Sequence, residues 1–157
     1  MRTRELDDLH LNPIARAGAS TLLATCPYIW FTSGRRDLWE QASAMAANVI
    51  EERDWSKQTY IHAAPLQTWV DANPTVIGHR ELSDGLYGVL LAMSDRDRRT
   101  ISKHLSGDAF DVRPILEADQ RTPTHDGYRV INCINSLDGL DRFLEQEGGL
   151  IRWHAQF

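Results

Sequence analysis

The sequence predicts an α+β domain, and three observations carry that expectation. Apolar residues recur at helical spacing over residues 38–53. Short segments rich in aromatic and β-branched residues, or alternating in polarity, lie elsewhere in the chain. Helical and extended segments follow one another in mixed order, which favours a small antiparallel sheet packed with helices.

Residues 3–24 read as mostly helical, interrupted near Asn12-Pro13 and Gly18. Tyr28-Ile29-Trp30-Phe31-Thr32 reads as a buried strand that ends at Ser33-Gly34. Asp37 stands three residues before Glu40, the spacing of a capping box. Leu38, Ala42, Met45, Ala46, Val49 and Ile50 then form one face of a long amphipathic helix. Thr59-Tyr60-Ile61-His62 fits a short strand or a helical turn. Leu66 to Val70 predicts a short helix ending before Asn73-Pro74, and Leu82 to Met93 a buried one. Asp95 to Ile101 is polar and fits a loop or a helix.

Ala109 to Ile115 alternates and predicts a strand, and Arg129 to Ile134 predicts a second. Ser136 is expected to cap a helix bearing Leu137, Leu140, Phe143 and Leu144, stopped by Gly148-Gly149. Leu150 to Phe157 predicts a last strand. No repeat or Pro/Gly/Ser-rich linker divides the 157 residues, so residues 1–157 are expected to form a single domain.

Composition narrows the function classes. The chain is 42% apolar and 25% charged, ordinary for a globular protein. A net charge of −5 disfavours a nucleic-acid partner, which requires a basic face. Cys26 and Cys133 lack metal-type spacing and are expected to be buried free thiols, as suits a reducing cytoplasm. The first eight residues carry acids where a signal peptide would carry an apolar core. The expectation is synthesis in the cytoplasm, no membrane insertion and no leader.

The chemistry-bearing segment is Ser102-Lys103-His104-Leu105-Ser106-Gly107-Asp108-Ala109-Phe110-Asp111. A histidine precedes an aspartate by seven residues, as a loop enters a strand, and the glycine permits a tight approach. Imidazole and carboxylate are both good zinc ligands, and His154 of Trp153-His154 can supply a third. Three protein ligands leave one position open, the layout of a catalytic zinc site.

This pattern, Ser-x-His-x-x-Gly-x-Ala-x-Asp followed much later by Trp-His, resembles the zinc D-Ala-D-Ala carboxypeptidase family. That family includes vancomycin-resistance D,D-dipeptidases, phage L-alanyl-D-glutamate endolysins and the hedgehog signalling domain. Phe31-Thr32-Ser33-Gly34-Arg35-Arg36 is similar to the family's Ser-Gly-Tyr-Arg segment, so the matching pieces run in order from about residue 31 to 154. The resemblance implies His104, Asp111 and His154 as ligands of a zinc cofactor. It implies Arg36 as the group that holds the substrate carbonyl or carboxylate and stabilises an oxyanion.

One position departs from the pattern. Peptidases of the family place Asp or Glu three residues before the last histidine, as general base, and here that residue is Ile151. The nearest acids upstream are Glu147 and Glu145, and the hedgehog domain also carries its acid further upstream. Glu147 is therefore the candidate base, with Glu145 second. His62, His79 and His125 are expected to be solvated loop residues, and Trp153 to lie in the core. The resemblance implies a peptidoglycan peptidase acting on the stem peptide, of carboxypeptidase or endopeptidase type, as in compact phage lytic enzymes that act on the cell wall. The alternative is a zinc-bearing binding or structural domain of the same fold that does not hydrolyse.

Overall fold

A computed structural model of the chain describes residues 2–55, 64–147 and 150–157. The α+β expectation holds: the described residues form seven α-helices and a small four-stranded antiparallel sheet. The expected element at Thr59–His62, and the Gly148-Gly149 stop, lie outside the described residues. By contact density the chain forms two compact units. One comprises Met1–Arg35, Ser106–Gln146 and Ile151–Phe157, the other Arg36–Leu105 and Glu147–Leu150.

In the first unit a 3-10 turn, Asp7–Leu9, precedes helix α1, Pro13–Thr25. Pro13 sits at the first position of α1, where a missing N–H costs nothing. Gly18 does not interrupt α1; a Cβ there would lie 2.6 Å from the Phe157 ring, so the glycine lets the two pack closely. Strand β1 is short, Phe31–Ser33, and it bridges Thr3 as well as pairing with β2, Ala109–Val112. The expected strand to Ile115 thus stops at Val112.

The two last strands are β3, Arg142–Glu147, and β4, Leu150–Gln156, and the sheet order is β1-β2-β4-β3. The β2–β4 register pairs Ala109 with Gln156, Phe110 with Ala155, Asp111 with His154 and Val112 with Trp153. Strand alternation sends Phe110, Val112, Trp153 and Ala155 into one core with Phe31, Leu22, Val130 and Ile134. Phe31 meets Phe110 edge-on, with ring centroids 5.4 Å apart. The other face of β2 and β4 carries Asp111 and His154. Trp153 is a core residue, as expected.

Two expectations in this unit are corrected. Arg129–Ile134 is not a strand but part of the α-helix His125–Asn135. Thr124 caps that helix by accepting the Gly127 N–H at 3.0 Å, and Val130, Ile131 and Ile134 form its buried face. Conversely, residues 137–144 are not a helix. The Ser136 N–H bonds the carbonyls of Cys133 and Ile134 and ends the preceding helix instead of starting a new one. Gly139, at φ 78°, then turns the chain into β3.

In the second unit α2, Leu38–Glu51, opens with the expected capping box. Asp37 accepts the Glu40 N–H at 2.8 Å, and Glu40 accepts the Asp37 N–H at 2.9 Å. Helices α3, Ala64–Ala72, and α4, His79–Ala92, follow, and α5, Asp95–Ile101, is capped by Ser94. Ala42, Met45, Val49, Leu66, Val70, Leu82, Leu86, Leu90 and Ile101 form a separate core. Each fully buried leucine, valine or methionine contributes roughly 1.5–3 kcal/mol. The Arg53 guanidinium closes the C-terminal end of α3 by donating to the carbonyls of Val70, Asn73 and Val76 at 2.9, 2.7 and 3.1 Å.

Candidate metal centre

A short helical turn, α6, Lys103–Ser106, carries His104. The chain then passes through Gly107 into β2. Gly107 adopts φ 84°, and a Cβ there would meet the His10 carbonyl oxygen at 3.2 Å. The Gly107 carbonyl accepts the Asn12 N–H at 3.0 Å. The Asn12 side chain donates to the Ser106 carbonyl and to Asp108 Oδ1 at 2.9 and 2.7 Å. The glycine and its Asn12 anchor therefore fix the seven-residue path from histidine to aspartate.

Asp111 lies mid-sheet, paired with Ser33 of β1 on one side and His154 of β4 on the other. Directly opposed residues in an antiparallel pair project from the same face with Cβ atoms about 5 Å apart. His154 Nδ1 accordingly lies 2.9 Å from Asp111 Oδ1. His104 completes the group: the three residues bring one ligand atom each within 4.8 Å of one another. All three are buried, at 2%, 2% and 7% exposure for His104, Asp111 and His154. Uncovered burial of a carboxylate is costly unless cations or hydrogen bonds offset it.

Two imidazoles and one carboxylate, buried and convergent, can hold a metal ion. This donor set fits the metal that the sequence pattern implies, and the three expected ligands are the three that meet.

Arg36, from the loop before α2, is held beside His104 by its backbone: its N–H donates to the His104 carbonyl at 3.0 Å. Its guanidinium Nη1 donates to Gln41 Oε1 at 3.3 Å. Glu147 is half-buried at the end of β3, and Glu145 is exposed on the same strand. Their strand replaces the helix end on which the sequence would place them, and neither acid belongs to the three-residue group. By alternation along β4, Ile151 shares the face of Trp153 and Ala155, whereas Arg152 shares the face of His154.

The other histidines are placed away from this chemistry. His79 opens α4 and its Nε2 lies 3.0 Å from the Ser43 carbonyl oxygen. His125 opens the Thr124-capped helix, here α7, where a loop residue was expected. His62 lies outside the described residues. Cys26 and Cys133 are free thiols with sulfurs 3.6 Å apart, Cys26 buried and Cys133 half-buried. Burial, and then the neighbouring Cys26, pushes the Cys133 thiol up.

No family model, no curated protein and no solved structure matches this chain.

Proposed function

We propose that the chain is a zinc-dependent peptidase of the peptidoglycan stem peptide, of the D,D-carboxypeptidase or L-alanyl-D-glutamate endopeptidase type. The observation that carries this reading is the buried convergence of His104, Asp111 and His154, from segments that resemble the zinc D-Ala-D-Ala carboxypeptidase family. His104, Asp111 and His154 would hold the zinc, which when bound would supply a Lewis acid able to polarise a carbonyl and to lower the pKa of water to about 7.

The chain's own residues take the remaining roles. Arg36 binds the substrate carbonyl or carboxylate, because a guanidinium stays charged and presents a fork of donors. The same donors offset negative charge that develops on that oxygen in the transition state. Glu147 accepts the proton from the attacking water and returns it to the leaving amine. The reading extends to a phage lytic enzyme that acts on the cell wall. None of the described helices is long and apolar enough to cross a membrane.

One observation favours a second reading. Ile151 occupies the position where the family's peptidases carry their acid, and it falls on the core face of β4. A zinc-bearing binding or structural domain would need no acid there. Digestion of purified peptidoglycan with zinc-loaded protein, with and without chelator, followed by mass analysis of the fragments, separates the two. Chelator-sensitive peptide fragments support the peptidase. Bound zinc with no product supports the binding domain.

A further inference from the structure

We infer that Gln41 is a positioning residue of the candidate metal centre, linking Arg36, the proposed substrate-binding cation, to His104. The inference rests, for Arg36, on the function proposed above; for His104 it rests on geometry alone.

Gln41 stands on the buried face of α2 with Ala42, Met45, Ala46, Asn48 and Val49, and it is 2% exposed. A buried amide costs free energy unless its polar atoms are paired, and an aliphatic side chain would pack there without that cost. Its Oε1 accepts two hydrogen bonds, from Arg36 Nη1 at 3.3 Å and from Ser102 Oγ at 3.2 Å. Ser102, itself 7% exposed, accepts the His104 N–H on the same Oγ at 3.3 Å. The Arg36 N–H donates to the His104 carbonyl at 3.0 Å.

These four bonds close a ring: Gln41 to Arg36, Arg36 to His104, His104 to Ser102, and Ser102 back to Gln41. The ring lies wholly within residues 36–105. It holds the backbone of His104 at both its N–H and its carbonyl, so it fixes where the imidazole starts. The same acceptor oxygen restrains the Arg36 guanidinium, so one buried amide sets the positions of two functional groups. A neutral amide does this without adding a carboxylate beside the arginine, which leaves the local charge unchanged where an anionic substrate group is to bind.

The test compares Gln41→Met, Gln41→Glu and Ser102→Ala with Met45→Ala, a buried α2 residue outside the ring. Zinc affinity is read by competition with a chromophoric chelator, and fold by circular dichroism. Groups that orient metal ligands typically change affinity by about 10–100-fold. Gln41→Met and Ser102→Ala are expected to weaken zinc binding by about tenfold or more. Gln41→Glu, whose carboxylate still accepts both bonds, is expected to restore zinc affinity but raise KM for a stem peptide with kcat little changed. Met45→Ala is expected to lower the melting temperature with zinc affinity intact.

Wild-type zinc affinity in Gln41→Met and Ser102→Ala would overturn the inference, as would an equal loss in Met45→Ala. If Gln41→Met does not fold, Ser102→Ala and Gln41→Glu decide on the same readouts. Weakened zinc binding in the variants, with a wild type that cuts no peptidoglycan, would sink the peptidase and leave Gln41 standing. Hydrolysis by the wild type with unchanged zinc affinity in the variants would do the reverse.

Discussion

Asp111 and His154 face each other directly across the β2–β4 ladder, with His154 Nδ1 2.9 Å from Asp111 Oδ1. This pairing is set by register. A slip of one residue would turn Asp111 to the core face and Phe110 to the site, so the packing of Phe110 and Trp153 fixes how Asp111 and His154 meet. Asp111→Ala is expected to keep the sheet and lose metal affinity by more than about 100-fold, beyond the cost of losing an outer-shell partner. Isothermal titration with zinc measures it, and a near-wild-type affinity would remove Asp111 from the ligand set.

Gly107→Ala places a side chain at φ 84° and a Cβ 3.2 Å from the His10 carbonyl oxygen. A left-handed conformation costs a non-glycine residue about 1–2 kcal/mol. Because Gly107 joins His104 to Asp111, metal affinity should fall together with stability. Urea denaturation with and without zinc reports both, and an unchanged midpoint would show that the turn relaxes freely.

Glu147→Gln removes the proposed general base while preserving shape. The expected outcome is a loss of about 10²–10⁴ in kcat on a stem-peptide substrate, with zinc still bound. Glu145→Gln is the control and should retain activity. Equal activity of Glu147→Gln and wild type would refute the assignment.

Tyr28 sets an alkaline limit on the first unit. Burial, with the neighbouring Cys26 next, pushes its phenol from 10.0 up to about 12. Between these values the unfolded chain has released the proton and the folded chain has not, so the unfolded state binds fewer protons. Stability therefore falls as pH rises from about 10 to about 12, and this group changes nothing below that window. Denaturant midpoints across this range, compared with Tyr28→Phe, check it. A variant with the same alkaline slope as wild type would contradict the assignment.

Local signals made much of this legible. The Asp37–Glu40 capping box and the apolar face from Leu38 to Ile50 marked α2, because both the cap and the period lie within the segment. That His104, Asp111 and His154 meet was readable because the Ser-x-His-x-x-Gly-x-Ala-x-Asp spacing and the late Trp-His are specific. Residues 129–134 misled because Val130 and Ile131 favour strands, while the deciding Thr124 cap lies five residues upstream. Leu140, Phe143 and Leu144 imitate a helical face, but the positive φ of Gly139 and pairing with β4 make an extended strand. Gln41 was not legible at all. In sequence it is one polar residue on an amphipathic helix, and its partner Ser102 lies 61 residues away.

Zinc content tests the central claim most directly. Elemental analysis of protein loaded with zinc and then dialysed should find about one zinc per chain, and about none in His104→Ala, Asp111→Ala or His154→Ala. Wild-type protein without zinc, or all three variants retaining it, would contradict the assignment of this buried group as a metal centre.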